Sequence, residues 1–160
     1  GCESSPTIQT ICIAEQPTPT FTLNQTSGCA SSAGLFVDAT NTTNISTLCS
    51  PISYEWVVSF TPVCTTGTWV PTYRNGTNAN SANPQFTFTL PGTYSIILKV
   101  TNACGTVSSA PQVVTVQDKP SVSIVSPVPS SEICAGTSIT PSANFTSCSS
   151  AITQYNWNFQ

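Results

Sequence analysis

Eight cysteines, spread along 160 residues with no Cys-x-x-Cys pair among them, constrain the possible fold more than any other feature. They are Cys2, Cys12, Cys29, Cys49, Cys64, Cys104, Cys134 and Cys148. Zinc ribbons and thioredoxin-like sites need two cysteines separated by two residues, so this spacing argues against both. An even number of widely separated cysteines is typical of disulfides formed in an oxidising compartment. We therefore expect a secreted, extracellular protein.

The composition removes several classes of function. Charged residues make up only 6% of the chain, the net charge is −3, and histidine is absent. Binding to nucleic acid or to an anionic membrane surface requires clustered basic residues, so we expect neither. No apolar run reaches the length of about 18 residues that spans a membrane, which predicts no direct membrane insertion. Without histidine, the triads, general bases and metal sites that use imidazole are excluded.

The acidic residues do not suggest a catalytic site. They are Glu3, Glu15, Asp38, Glu55, Asp118 and Glu132, and no two are close neighbours in the sequence. Folding could still assemble a glycosidase pair, but no histidine or arginine cluster supports one. A calcium site needs several oxygen ligands together, and Asp118 alone is better interpreted as a solvated linker residue. We predict no enzyme activity, no catalytic residues, no metal and no cofactor.

The chain contains an internal repeat with a period of about a hundred residues, the size of one β-sandwich module. The order Cys2, Ile11-Cys12-Ile13 and Pro17 recurs as Cys104, Val114-Thr115-Val116 and Pro120. Farther along, Cys29, Cys49 and Tyr54-Glu55-Trp56 recur in the same order as Cys134, Cys148 and Tyr155-Asn156-Trp157.

This period divides the chain into three parts. Residues 1–17 are predicted to be the C-terminal strands of a preceding module, and residues 18–117 a complete module. Residues 118–160 are predicted to be the N-terminal part of a following module. Because a module cut after its third strand cannot bury both of its sheets, we expect the chain to be part of a longer protein.

Apolar and polar side chains alternate along most of the predicted complete module, which indicates half-buried β-strands. The alternating positions are Phe21 and Leu23; Leu35 and Val37; Tyr54, Trp56, Val58 and Phe60; Phe86, Phe88 and Leu90; Tyr94, Ile96, Leu98 and Val100; Val114 and Val116. Turn-forming residues lie between them, at Asn75-Gly76, Pro91-Gly92 and Asp118-Lys119-Pro120. No segment has an apolar stripe at helical spacing, so we predict an all-β fold.

Two motifs resemble the PKD (polycystic kidney disease) domain family. Residues 90–105 are similar to the penultimate strand of these domains, with a Gly-x-Tyr start and an Asn near the end. Tyr155-Asn156-Trp157-Asn158-Phe159 resembles the family's Tyr-x-Trp-x-Phe strand. Residues 54–60 depart from this pattern, because the Gly-Asp-Gly turn that usually follows it is missing there. The resemblance implies tandem immunoglobulin-like β-sandwich modules over nearly the whole chain.

Two further features favour a sandwich independently of the resemblance. Leu90, Gly92 and Tyr94 have the spacing of a tyrosine corner, in which a Tyr hydroxyl bonds to backbone at a crossover between sheets. The alternative is an ordinary core tyrosine after a turn. Trp56 lies on the third predicted strand, where sandwiches of this kind usually place a core Trp.

The predicted topology also suggests a disulfide pairing. Cys49 precedes the third predicted strand and Cys104 follows the strand of residues 94–100, so both should lie at one end and pair with each other. Cys29 and Cys64 should lie at the opposite end, which predicts a second bond. The alternative is local pairing of consecutive cysteines, but a strand of about 20 Å should separate Cys29 from Cys49.

Trp69, Tyr73 and Arg74 are the candidate ligand-contact residues. They lie in the long segment 65–84, where exposed aromatic side chains could stack on a sugar or contact a partner protein. We favour the alternative, structural interpretation, in which Trp69 covers a sheet edge and buries apolar area worth about 2 kcal/mol.

The abundance of cysteine, threonine and asparagine is similar to that of repeats in the giant, SprB-like surface adhesins of gliding Bacteroidetes. Those adhesins are exported by the type IX secretion system and form long filaments, so the resemblance implies a structural and adhesive segment at the cell surface. Its partners would be neighbouring modules of the same chain and surface polysaccharide or other surface proteins. The alternatives are an accessory module of a secreted hydrolase and a carbohydrate-binding module.

Overall fold

The computed structural model describes residues 5, 7–9, 11–31, 33–47, 49, 51–63, 68–127, 132–148 and 151–158. Over these residues the secondary structure is β without any helix, which confirms the predicted all-β class. Within the same residues eleven strands are defined: β1 (Phe21–Leu23), β2 (Ser27–Cys29), β3 (Leu35–Asn41), β4 (Ser53–Pro62), β5 (Thr72–Tyr73), β6 (Gln85–Phe88), β7 (Gly92–Asn102), β8 (Gly105–Ser108), β9 (Gln112–Gln117), β10 (Ser121–Ser126) and β11 (Ser142–Thr146).

The strands form three sheets. The first has the order β1-β3-β6-β5, and each pair of neighbouring strands in it is antiparallel. The second has the order β2-β9-β7-β4, with β8 paired to the C-terminal part of β7. Its β2–β9 pair is parallel, whereas the other pairs are antiparallel. β10 and β11 form a separate antiparallel pair.

The longest ladder joins β4 to β7 and shows why the alternating sequence forms strands. It runs without a register shift from the pair Ser53–Thr101 to the pair Pro62–Gly92. Every second side chain of β7 is completely buried, namely Tyr94, Ile96, Leu98 and Val100. The side chains between them lie on the opposite, partly exposed face. This period of two is what the sequence predicts for a half-buried strand, and the prediction is confirmed here.

The first two sheets share one apolar core, and together they are called the two-sheet body (residues 21–117). The buried side chains of this core are Phe21, Val37, Ala39, Trp56, Phe86, Phe88, Tyr94, Ile96, Leu98, Val100, Val114 and Val116. Aromatic contacts join the sheets: the rings of Phe21 and Trp56 meet edge-to-face at 5.0 Å, and those of Phe88 and Tyr94 are 4.2 Å apart. Each such buried side chain stabilises the fold by about 1.5–3 kcal/mol.

The predicted tyrosine corner is present. Tyr94 Oη donates a hydrogen bond to Leu90 O at 2.7 Å, and Leu90 N donates to the same Oη at 3.2 Å. Trp56 is a core residue, as predicted, and is only 3% exposed; its Nε1 donates to Ser81 O at 2.8 Å. These bonds satisfy the polar atoms that two large aromatic side chains carry into the core.

The predicted turns lie where the chain changes direction. Asn75 and Gly76 have φ angles of 52° and 72°, the left-handed pair that a tight Asn-Gly turn requires. Gly92 has a φ of 153°, and a Cβ there would lie 2.6 Å from the Phe60 ring, so the position requires glycine. Residues 118–120 form no strand and connect β9 to β10.

Three short strands, β2, β5 and β8, have no counterpart in the sequence prediction. Each is two to four residues long and pairs along a longer strand. Their sequences show no run of alternating apolar residues, so they form because β9, β6 and β7 offer backbone groups to pair with. Leu90, predicted as a strand residue, lies beyond the end of β6 in the turn before β7.

Residues 11–20 form no strand, although Ile11 and Ile13 align with two buried residues of β9 in the repeat. Both isoleucines are largely exposed, at 82% and 85%. The segment is nevertheless attached to the two-sheet body, because Asn102 Nδ2 donates to Glu15 O at 2.6 Å and Pro17 is buried. The assignment of residues 1–17, 18–117 and 118–160 to three modules stays a prediction.

Candidate functional site

Trp69 packs against the interior of the two-sheet body. The centroid of its ring system lies 4.7 Å from that of Tyr94, 5.6 Å from Phe88 and 6.0 Å from Phe60. Its Nε1 is buried and has no hydrogen-bond partner among the described residues. These contacts fit the structural interpretation of Trp69, in which the side chain stabilises the fold by burying apolar area.

Tyr73, on β5, also faces the core. Its ring centroid lies 5.4 Å from that of Phe86, and the side chain is half-buried. Burial raises the pKa of the Tyr73 phenol above its ordinary value of 10.0, because the charged form loses solvation. A ring that packs on a core phenylalanine in this way offers little surface for stacking on a ligand.

Arg74 points in the opposite direction from Tyr73, as successive residues of an extended chain do. Its guanidinium carbon lies 4.3 Å from the centroid of the Phe36 ring, and Nη2 donates to Asp38 Oδ1. Phe36 is 41% exposed. Arg74 Nε is buried and has no hydrogen-bond partner in the part of the chain that the structure describes. Phe36, Asp38 and Arg74 are called the Phe36 cluster below.

The structure does not bring the three predicted contact residues together. Trp69 and Tyr73 pack on the core, whereas Arg74 joins Phe36 on the outer face of the first sheet. The sequence prediction does not name Phe36 as a ligand-contact residue, although the alternation of residues along its strand indicates that its side chain is exposed. Because Phe36 lies between Leu35 and Val37 on one strand, alternation predicts that its ring points outward.

A disulfide joins Cys12 to Cys49, with a Cα–Cα distance of 5.4 Å that is typical of such bonds. The two cysteines are separated by 37 positions in the sequence. Closing a loop of this length restricts the unfolded chain and stabilises the fold by about 3–4 kcal/mol. The bond also fixes residues 11–17 to the segment that leads into β4.

The predicted Cys49–Cys104 bond is not formed in this structure, in which Cys49 is bonded to Cys12 and Cys104 is an exposed free thiol. The physical reason is the path of residues 11–15, which lie against the end of the second sheet and bring Cys12 to Cys49. The sequence prediction assigned residues 1–17 to a preceding module, so it did not consider a bond between Cys12 and Cys49. Cys29 is also an exposed free thiol, and its predicted partner Cys64 lies outside the described residues.

Three of the acidic residues, Asp38, Glu55 and Asp118, have structural partners. Asp38 pairs with Arg74, and Glu55 Oε2 lies 3.1 Å from Lys99 Nζ. Asp118 accepts a hydrogen bond from the backbone N of Cys148 at 3.3 Å. Among the described residues, no group of three or more His, Cys, Asp or Glu side chains is placed to hold a metal ion.

An apolar groove of about 410 Å³ lies along the β10–β11 pair. Val122 and Ile124 line it from β10 and are 63% and 52% exposed. Phe145 of β11 stacks on Tyr155 at 4.9 Å, and Trp157 also lines the groove while remaining 39% exposed. Five exposed aromatic and aliphatic side chains, Val122, Ile124, Phe145, Tyr155 and Trp157, therefore line this groove, which is absent from the sequence prediction.

Over the residues that the structure describes, no helix has the length and hydropathy needed to cross a membrane. No protein-family model, curated protein or solved structure has significant similarity to this chain. A function can therefore be inferred only from the strand order, the disulfide and the surfaces described above.

Proposed function

We propose that this chain is a non-enzymatic, load-bearing and adhesive segment of an extracellular surface protein, built from tandem immunoglobulin-like modules of the PKD type. The observation that carries the proposal is the position of the chain ends of the two-sheet body. The chain enters the body at one end and leaves it at the opposite end. Modules with this geometry join head to tail and transmit tension along their length.

Hydrogen bonds locate these two ends. Gln112, at the start of β9, donates through Nε2 to the backbone O of Phe21, at the start of β1. At the other end of β9, Ala30 N donates to Gln117 O at 2.8 Å. β9 has six residues, and a strand of that length spans about 17 Å. The chain therefore enters the body near Phe21 and leaves it after Gln117, on the opposite side.

The parallel β2–β9 ladder lies between these two ends. Its pairs are Ser27–Thr115, Gly28–Val116 and Cys29–Gln117. The Cys12–Cys49 bond carries tension directly from Cys12 to Cys49 and bypasses β2. In the reduced chain, tension pulls β2 from its N-terminal end and β9 from its C-terminal end, so the force acts along the strands. All hydrogen bonds of the ladder are then strained together, and such a ladder resists more force than one opened bond by bond.

The strand order supports an immunoglobulin-like sandwich. The order β1-β3-β6-β5 corresponds to strands A, B, E and D of one immunoglobulin sheet, and β4, β7 and β9 correspond to C, F and G of the other. Trp56 on the C position and the tyrosine corner of Tyr94 on the F position are further features of that fold.

The β10–β11 pair supports a tandem arrangement, because it repeats the antiparallel pairing of β1 with β3. Leu23 pairs with Ala39 in the first case and Ile124 with Ala143 in the second. Tyr155-Asn156-Trp157 then follows β11 as β4, with a similar motif, follows β3 in the two-sheet body. Residues 118–158 are accordingly proposed to be the opening strands of a second module.

The disulfide and the surface composition support an extracellular and adhesive role. Cross-links such as Cys12–Cys49 form in oxidising compartments. With only 6% charged residues, the surface relies on hydroxyl and amide groups for its polarity and offers few sites to Lys/Arg-specific proteases. The proposed partners are neighbouring modules of the same chain and surface polysaccharide or other surface proteins.

Single-molecule force spectroscopy on the full chain, held by its two ends, tests the load-bearing role. We expect the two-sheet body to rupture in one discrete event, in which β2 shears from β9 when the chain is reduced. In the reduced chain the gain in length should be larger by about 13 nm, because the 37 positions between Cys12 and Cys49 become extensible. Gradual extension without a discrete event would contradict the proposal.

A different pulling direction provides the matched control. Cys29 pairs with Gln117, so a handle on the Cys29 thiol and another at the C-terminal end open the ladder from one side. The other free cysteines are replaced by serine for this measurement. We expect a lower rupture force than in the end-to-end experiment, and equal forces would show that β2–β9 does not bear the load.

Carbohydrate binding is the second candidate function, and the Phe36 cluster is the observation that favours it. An exposed aromatic ring beside a guanidinium and a carboxylate offers a sugar both stacking and hydrogen bonds. Binding on a glycan array should be lost in Phe36→Ser and kept in Val113→Ser, an exposed apolar position on the other sheet. An array without any bound glycan for the wild-type chain would rule this function out.

A further inference from the structure

Three cysteines lie at the end of the second sheet where residues 11–15 attach. Cys12 and Cys49 form the disulfide, and Cys104 is an exposed free thiol whose Sγ lies 3.1 Å from the backbone O of Ala14. Cys49 Sγ lies 3.3 Å from the backbone O of Ile13, the residue before Ala14 in the sequence. The thiol and the disulfide therefore contact consecutive peptide groups, whose Cα atoms are about 3.8 Å apart.

The register of the second sheet brings Cys104 and Cys49 to the same end. The ladder between β4 and β7 ends with the pair Ser53–Thr101. Cys49 precedes Ser53 by four positions and Cys104 follows Thr101 by three, so both lie near the same end of these two paired strands. Cys104 is also held in place, because its backbone N donates to the side chain of Asn102 at 2.8 Å.

We propose that these three sulfurs exchange partners and that the chain has two alternative disulfides, Cys12–Cys49 and Cys49–Cys104. The thiolate of Cys104 attacks Sγ of Cys49, so that the Cys49–Cys104 bond forms while the Cys12–Cys49 bond breaks. Cys12 leaves as a thiolate and takes up the proton that Cys104 released. The number of thiols and disulfides is unchanged, so the step needs no oxidant or reductant.

Cys12 is the leaving group because the fold holds it least. Residues 11–20 form no strand, whereas Cys104 lies in the tight turn between β7 and β8, and Cys49 lies four positions before β4. Releasing Cys12 therefore breaks no backbone ladder. The new bond would join the ends of two adjacent strands that are already in register.

The exchange would act as a latch for the N-terminal segment. In the Cys12–Cys49 form, residues 11–15 are held by the disulfide, by the contact of Cys104 with Ala14 O, and by the bond from Asn102 to Glu15 O. The exchange removes the first two of these and leaves the third. The segment that contains Ile11 and Ile13 would then be released from the end of the body.

Disulfide mapping of the full wild-type chain tests this directly. The oxidised protein is incubated at pH 5 or pH 8 with a trace of reduced glutathione, quenched in acid, alkylated and digested with pepsin. We expect both bonds in the pH 8 sample and a much slower approach to this mixture at pH 5, because only the thiolate attacks. Finding Cys12–Cys49 alone after long incubation at pH 8 would overturn the proposal, and so would a bond from Cys104 to any cysteine other than Cys49.

Cysteine-to-serine variants test which sulfur attacks and which one leaves in the exchange. Cys104→Ser should retain Cys12–Cys49 under all conditions, and Cys12→Ser should form Cys49–Cys104 on air oxidation. Cys29→Ser, which removes an exposed free thiol on β2, is the matched control and should give the wild-type mixture. Unpaired thiols at Cys49 and Cys104 in a folded Cys12→Ser chain, with native intrinsic fluorescence, would also overturn the proposal.

Force spectroscopy gives a second readout that does not depend on digestion. A disulfide prevents the loop that it closes from extending when the chain unfolds. This loop has an extended length of about 20 nm in molecules with Cys49–Cys104 and about 13 nm in molecules with Cys12–Cys49. Two populations of length are expected in the sample equilibrated at pH 8 and one in Cys104→Ser. A single population in both would contradict the exchange while leaving the load-bearing proposal intact, since that proposal concerns the rupture event.

Discussion

The two-sheet body and the β10–β11 pair have the same kind of sequence but bury it very differently. In the body, alternating residues such as Ile96 and Leu98 are completely buried. In the β10–β11 pair, the alternating residues Val122 and Ile124 are 63% and 52% exposed. Both regions form antiparallel ladders, with a register shift between Ile124 and Ser126 in the β10–β11 pair, so the difference does not arise from a lack of strand pairing. It arises from the second sheet, which covers the apolar face in the body.

This difference shows that alternation predicts which side chains share a face, whereas burial depends on an opposing layer. A two-stranded sheet is marginally stable by itself in water. The stability of the chain should therefore reside in the two-sheet body. Substitutions there should have much larger effects than matched substitutions in residues 118–158.

The largest contrast is expected between the two tryptophans of the repeated motif. Trp56→Ala should lower the free energy of unfolding of the body by about 3–5 kcal/mol, because it leaves a large cavity between the sheets. Trp157→Ala should change the same transition by less than about 0.5 kcal/mol. Urea unfolding followed by far-UV circular dichroism measures both, and similar losses would remove the proposed distinction.

A chain extended at its C-terminus by a second copy of residues 60–117 sharpens this comparison. If residues 118–158 are the opening strands of a module, the added strands should cover the β10–β11 face and bury Trp157. Trp157→Ala should then cost about as much as Trp56→Ala. An unchanged, small effect in the extended chain would contradict the tandem arrangement.

The second contrast concerns two glycines with positive φ. Gly92→Ala should destabilise the body by about 3 kcal/mol, because its Cβ would lie 2.5 Å from Thr61 O and its φ of 153° is strained for alanine. Gly136 has a φ of 89°, and a Cβ at this position would have no described atom within 4 Å, so Gly136→Ala should leave the body's unfolding transition unchanged. Urea midpoints of the two variants test the pair.

The third contrast is between two tyrosine hydroxyls. Tyr94→Phe removes the 2.7 Å bond to Leu90 O and should cost about 1–2 kcal/mol, because a buried carbonyl loses its partner. Tyr155 is 62% exposed, so Tyr155→Phe should have no measurable effect on the body. Equal effects in thermal unfolding would show that the corner does not stabilise the fold.

The smallest effect is expected from pH. Burial raises the pKa of Tyr94 above its ordinary value of 10.0, and the hydrogen bond that Oη accepts from Leu90 N opposes this shift to a smaller extent. The unfolded chain therefore loses its phenol proton first, and the free energy of unfolding should be constant below pH 10 and fall above it. In Tyr94→Phe, the free energy of unfolding measured with urea should fall less steeply above pH 10 than in the wild-type chain. The same slope against pH in both chains would show that Tyr94 is not the source of this loss.

Much of the two-sheet body could be predicted from the sequence. β3, β4, β7 and β9 alternate clearly, and Trp56 and the tyrosine corner are visible as local motifs. The short strands β2, β5 and β8 could not be predicted, because they form by pairing with a longer neighbour and carry no pattern of their own.

The candidate site was less predictable, since it depends on contacts between distant segments. The sequence shows eight cysteines but not that residues 11–15 run along the end of the second sheet and bring Cys12 to Cys49. It predicts that Trp69 covers a sheet edge, but not that its ring contacts Phe60, Phe88 and Tyr94, which come from three different strands. Phe36 was predictable in principle, because its outward direction follows from its neighbours on β3.

Hydrogen–deuterium exchange of the full chain tests most directly whether the two regions are separate folding units. We predict that the amides of β7 exchange only when the whole body unfolds, at least about a thousandfold more slowly than those of β10 and β11, which exchange by local opening. Equal protection of β7 and β10–β11 would contradict this prediction, because the two regions would then unfold as one cooperative structure.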